Sequence, residues 1–140
     1  MDRKFKNKVE MDLAVGFYNS GVNHADQGNL VLAIADFTKV IELDPQMIQA
    51  YINRASVYKK QKNYVQAIAD YNKLLEKNPQ DIMALNNLGS AYAQQGNYKK
   101  AIAEYDKAID IKPTDPVAYH NSIVSHYALK EYEWAWEDVR

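Results

Sequence analysis

Residues 82–115 read IMALNNLGSAYAQQGNYKKAIAEYDKAIDIKPTD, and the same layout stands 34 residues upstream and again 34 residues before that. Pro45, Pro79 and Pro113 keep this spacing, as do Ala33, Ala67, Ala101 and Ala135. Small residues, aromatics and a closing proline recurring in one phase at this period are the mark of stacked helix-turn-helix units, a solenoid.

Working outward from that stretch, the units run 14–47, 48–81 and 82–115. An incomplete fourth occupies 116–140, and residues 1–13 form an N-terminal extension or leading helical turn. The first helix of each unit reads AVGFYNSGVNHADQ, IQAYINRASVYKKQ, IMALNNLGSAYAQQ or PVAYHNSIVSHYAL. Gly28-Asn29, Lys62-Asn63, Gly96-Asn97 and Lys130-Glu131 fall at the turn, where glycine accepts positive φ and asparagine caps the helix that follows. The fourth pair has neither residue, so its cap is expected to be weaker.

Second helices carry Ala33-Phe37-Val40, Ala67-Tyr71-Leu74 and Ala101-Tyr105-Ala108 at i, i+4, i+7, one apolar face. The facing stripes on the first helices are Phe17-Gly21-His24, Tyr51-Ala55-Tyr58, Leu85-Gly89-Tyr92 and Tyr119-Ile123-His126. Asp44-Pro45, Asn78-Pro79 and Lys112-Pro113 close the units, because proline cannot continue a helix and disfavours helical geometry just before it.

These columns resemble the tetratricopeptide repeat. The resemblance implies an all-α fold, a right-handed superhelical solenoid of antiparallel helix pairs, working as a surface for another protein. The family's first-helix tryptophan is replaced by Phe17, Tyr51, Leu85 and Tyr119, and Ile123 stands where the family prefers glycine or alanine. Ile123 is therefore expected to push the last helix pair apart. Chaperone-binding members grip a C-terminal carboxylate with lysines, asparagines and an arginine. The places read as corresponding hold Tyr18, Val22, Asn53, Met83 and Asn87, so that clamp is not expected here.

Asn19, Asn53, Asn87 and Asn121 also recur every 34 residues, two positions from the inward stripe on either side. At about 100° per residue each amide turns away from its partner helix. A row of such amides along a concave wall suits an extended peptide, since one Asn side chain donates to a backbone C=O and accepts from a backbone N–H. This ladder is similar to those of peptide-binding family members, which implies main-chain recognition. The competing reading is that the asparagines only space the stack. Tyr18, Gln49, Lys60, Met83, Gln94 and Tyr127 join them as candidate peptide contacts.

Seventeen basic residues against eighteen acidic give a net charge of −1 and no electrostatic reason for a nucleic acid partner. Without cysteine there is no disulfide or thiolate metal site, and His120 and His126 are six apart, which is wrong for a shared metal. His24 and His126 read as packing residues, and His120 as facing the groove. No cofactor, no catalytic residue and no membrane span are expected, and the cytoplasm is the default compartment. Asp36, Asp70, Glu104 and Asp138, with the lysines and acids three residues on, read as a solvated strip.

The ending EWAWEDVR places Trp134, Trp136 and Val139 on a surface with no following helix, so self-association through them is an alternative to peptide binding. A secretion-type chaperone that dimerises through residues 1–13 is a further alternative. The leading reading is a non-catalytic module that binds an extended peptide segment.

Overall fold

A computed structural model describes the backbone of residues 3–139 and the side chains of residues 7–133. Its elements are α1 (Arg3–Asp26), α2 (Leu30–Leu43), α3 (Ile48–Lys60), α4 (Tyr64–Lys77), α5 (Ile82–Gln94), α6 (Tyr98–Ile111) and α7 (Pro116–Val139). Every element among the described residues is an α-helix. The chain forms two compact units, Met1–Asp70 and Tyr71–Arg140, divided within α4.

The turns are built alike. After α1, Gly28 takes φ 78° and the Asn29 N–H reaches back to the His24 carbonyl at 2.8 Å. Gly96 (φ 81°) and Asn97 repeat this after α5, where Asn97 N donates to Tyr92 O. Lys62 adopts φ 61° between α3 and α4, so the turn geometry persists without its glycine. Asn63 Oδ1 and Asn97 Oδ1 cap the following helices by accepting from Gln66 N and Lys100 N. Asn29 does not: its amide donates to Gln27 Oε1 instead.

At 130–131 the expected turn is absent, and α7 runs unbroken from Pro116 to Val139. Lys130 and Glu131 are good helix formers, and no glycine or asparagine is there to reverse the chain. The expected inward stripe of this helix is overturned with it. Tyr119, Ile123 and His126 are exposed, Ile123 by 67%. Ala118, Ser122 and Ser125 are buried instead. Ala118 packs with Ala108 of α6, and Ser125 hydrogen-bonds Tyr105. The buried face of α7 is the one it turns to α5 and α6.

In the first unit Phe37 fills the space beside Gly21, where a Cβ would stand 2.7 Å from the ring. Ala14, Val40 and Ala50 join α1, α2 and α3. Polar links also cross from α1 to α2 and from α3 to α4. Ser20 Oγ donates to Asp36 Oδ2 at 2.8 Å, and His24 Nδ1 lies 2.7 Å from the same oxygen. Arg54 grips both oxygens of Asp70 at 2.7 and 2.9 Å. Asp36 and Asp70 are therefore interior partners and not part of a solvated strip, and His24 is a hydrogen-bonding partner of Asp36 rather than a packing residue. Lys39 with Glu42, Lys73 with Glu76 and Lys107 with Glu104 do form surface pairs. In the second unit Gly89 admits Tyr105 as Gly21 admits Phe37.

Candidate functional site

In the first unit α1 and α3 lie against each other, and a groove of about 150 Å³ opens between them. Phe37 and Val57 are buried at its floor. Val22 and Ala25 form the α1 wall, Asn53 and Ser56 the α3 wall, and Asp26 and Lys60 complete the lining. One anion and one cation leave it near neutral. Beside Lys60, partial burial holds the Lys59 ammonium below the ordinary lysine range.

A chain of contacts fixes Asn53. The rings of Phe37 and Tyr18 sit 6.0 Å apart, tilted by 57°, which orients the Tyr18 hydroxyl. That oxygen accepts from Asn53 Nδ2 at 3.0 Å, joining α3 to α1. Asn53 Oδ1 accepts from Gln49 Nε2, one turn earlier on α3, at 3.2 Å. An amide has two donor hydrogens and two acceptor lone pairs. These contacts use one of each, leaving one donor and one acceptor of the amide open. Asn53 thus links α3 to α1.

Replacing Asn53 with alanine is expected to cost about 1 kcal/mol of stability, the worth of a part-buried hydrogen bond. A shifted urea midpoint with unchanged slope is the sign of that loss. The Asn53 amide reaches Tyr18 of the preceding repeat, the contact that the spacing reading of the asparagines expects.

The first unit therefore brings Tyr18, Gln49, Asn53 and Lys60 together, while Asn19 is exposed on α1 outside the groove lining. In the second unit Met83, Asn87 and Gln94 lie along α5, with Met83 and Gln94 exposed and Asn87 half-buried. Asn121 is half-buried and Tyr127 exposed on α7, which adjoins α5. The side chains of Trp134, Trp136 and Val139 lie outside the described residues. Phe37, Ala25 and Val57 line the groove without having been read as contacts. The periodic stripe marks Phe37 as interior, but not that one edge of its ring borders an opening.

No three His, Asp or Glu side chains gather as metal ligands among the described residues. No helix among them is long and apolar enough to cross a membrane.

A family model described as Tetratricopeptide repeat matches residues 18–82 and again 52–116. In three dimensions the chain is similar to the first TPR domain of human RPAP3, at 25% identity and a TM-score of 0.76, over 86% of this chain and 95% of that one. It is similar to a tetratricopeptide repeat protein from Parabacteroides merdae at 28% identity and a TM-score of 0.79, over 86% of this chain and 47% of that one. The first TPR of Spaghetti (RPAP3), solved bound to the HSP90 peptide SRMEEVD, shares the fold at 24% identity and a TM-score of 0.76, over 85% of this chain and 94% of that one. No curated protein matches the sequence.

Proposed function

This chain belongs to the tetratricopeptide repeat family, and from that premise we propose that it is a non-catalytic interaction module whose α1–α3 groove holds an extended segment of a partner protein. The observation that carries this reading is the Asn53 amide. It is held by Tyr18 and Gln49 at the edge of an opening with an apolar floor, and has one donor and one acceptor to spare. Packed helices sit about 8–10 Å apart and an extended chain rises about 3.3 Å per residue, so the groove accepts roughly three residues. Main-chain bonds worth about 0.5–1.5 kcal/mol each give modest affinity, and side chains of the ligand seated on Val22, Phe37 and Val57 add to it.

The lining favours a neutral, partly apolar segment. Lys60 is the one cation along it and Asp26 is present beside it, a poor match for an acidic tail such as SRMEEVD. Display selection of short peptides against the whole chain tests the proposal. Enriched peptides are expected to bind about tenfold more weakly to Ser56→Trp, which fills the groove from an exposed position, with the melting temperature unchanged. Peptides that bind Ser56→Trp as tightly as the parent chain, or no enrichment at all, would overturn it.

A further inference from the structure

We infer that the edge of the first unit formed by the turns after α1 and α3 docks on an anionic lipid surface, with Val31, Leu32 and Val65 entering the bilayer interface and Lys60 and Lys62 meeting the headgroups. Asp26 and Lys60, the last residues of α1 and α3, line one groove, so the two turns that follow stand side by side. Leu30, at the head of α2, packs against the cluster of Ala33, Phe37 and Val57 and ties that end to α3. The next two residues turn away from it. Val31 is 73% exposed and Leu32 52%, and Val65, at the head of α4, is 67% exposed. Packing does not ask for apolar side chains there. Val31 and Val65 share a repeat column with Lys99, and Leu32 shares one with Gln66 and Lys100, both lysines being exposed in the second unit. A column that takes lysine in one copy and valine in two others leaves those valines to act outside the fold.

Charge at the same edge says what they meet. Residues 26–35 and 59–69 together hold three lysines and one acid, Asp26. Lys60 and Lys62 are exposed, with Lys59 half-buried beside them. Lys62 projects from a fixed turn: its φ is 61° and its N–H donates to the Lys59 carbonyl at 2.9 Å. Aliphatic tips flanked by lysines are the pairing that a bilayer containing acidic lipids accepts, since buried apolar area and attraction to the headgroups add. An acidic protein segment would answer the lysines and leave the three aliphatic side chains in water. The chain as a whole carries a net charge of −1, so the attraction is local. It acts within a Debye length, about 10 Å at 0.1 M salt.

Co-sedimentation of the whole chain with sucrose-loaded vesicles tests this. At about 50 mM salt the chain is expected to partition about tenfold more strongly onto phosphatidylcholine vesicles with about 30% phosphatidylserine than onto phosphatidylcholine alone, and the excess shrinks as salt rises. Val31→Gln/Leu32→Gln/Val65→Gln changes only exposed positions and is expected to lower that partitioning by about tenfold. Lys62→Asn removes one charge while keeping a residue that tolerates positive φ, and is expected to lower it by about fivefold. Circular dichroism confirms helix content in both variants. A parent chain that stays in solution with the acidic vesicles overturns the inference, and if it then captures a polyglutamate peptide through Lys62, the edge belongs to an acidic protein segment instead. Equal partitioning onto neutral vesicles overturns it as well, as does a triple variant that sediments like the parent. The triple variant keeps every residue lining the α1–α3 groove, so display-selected peptides are expected to bind it as they bind the parent, and peptide capture stands or falls separately.

Discussion

Arg54→Leu is expected to destabilise the first unit by about 3–5 kcal/mol, because it strands a carboxylate rather than merely removing a contact. Asp70 is 4% exposed and receives Arg54 Nη2 at 2.7 Å and Nε at 2.9 Å. The guanidinium also donates from Nη1 to Thr38 Oγ1 at 3.1 Å, and lies 5.9 and 5.8 Å from the ring centres of Tyr51 and Tyr58. Its hydrogen bonds to Asp70 raise its pKa above the ordinary arginine value against the opposing effect of burial. Without Arg54 the Asp70 charge keeps its desolvation cost and loses this compensation. The double variant Arg54→Leu/Asp70→Leu is expected to recover most of the loss, since an apolar pair of similar volume often replaces a buried ion pair at little cost. Urea unfolding of both variants checks the pair. A single variant within 1 kcal/mol of the parent would mean that Asp70 finds water or another donor.

Gly89→Val is expected to cost about 3 kcal/mol in the second unit, the upper part of the usual range for overpacking. A Cβ at Gly89 would stand 2.8 Å from Tyr105 Cζ and closer still to Cε1. The ring cannot swing aside, because Tyr105 is 2% exposed and its hydroxyl is bonded to Ser125. The helices must then move apart along α5 and α6, which loosens Leu85 and Ala108 as well. Gly16 gives the contrast: with nothing within 4 Å, a side chain there is expected to leave stability unchanged or raise it by about 0.5–1 kcal/mol through helix propensity. If the two substitutions cost the same, close approach of the backbones is not what glycine serves at position 89.

The repeat period carries most of the fold, because it fixes several things at once: the closing prolines, the turn at Gly28 and Gly96, and the small-residue and aromatic partners Gly21-Phe37 and Gly89-Tyr105. Averaging over copies fails where one copy departs. Lys62 keeps the turn despite losing glycine, whereas Lys130-Glu131 does not, and α7 goes straight on. The difference is that Asn63 remains beside Lys62, while position 131 offers no asparagine for the next helix. Ile123 agrees with this outcome. In the column of Gly21 and Gly89 it leaves no room for an aromatic ring, and in the structure it faces outward.

The polar interior was less legible. Helical periodicity puts Asp36 and Asp70 on the margin of the outer face, and margin residues turn either way. What draws them inward is Ser20 and Arg54, each 16 residues earlier on the facing helix. That pairing is visible only when the two helices are read against each other. Asn53 follows the same logic: rotation about its own helix turns it away from its partner helix, and only the tyrosine 35 residues earlier reveals its second hydrogen-bond partner.

The central claim, that the α1–α3 groove takes an extended segment, is tested most directly by titrating the ¹⁵N-labelled chain with a display-selected peptide and following its amide resonances. The predicted result is that the largest shifts fall on Val22, Asp26, Asn53, Ser56 and Lys60, together with the side-chain amide of Asn53. Shifts gathered on the exposed faces of α2 and α6, with these residues unmoved, would contradict it.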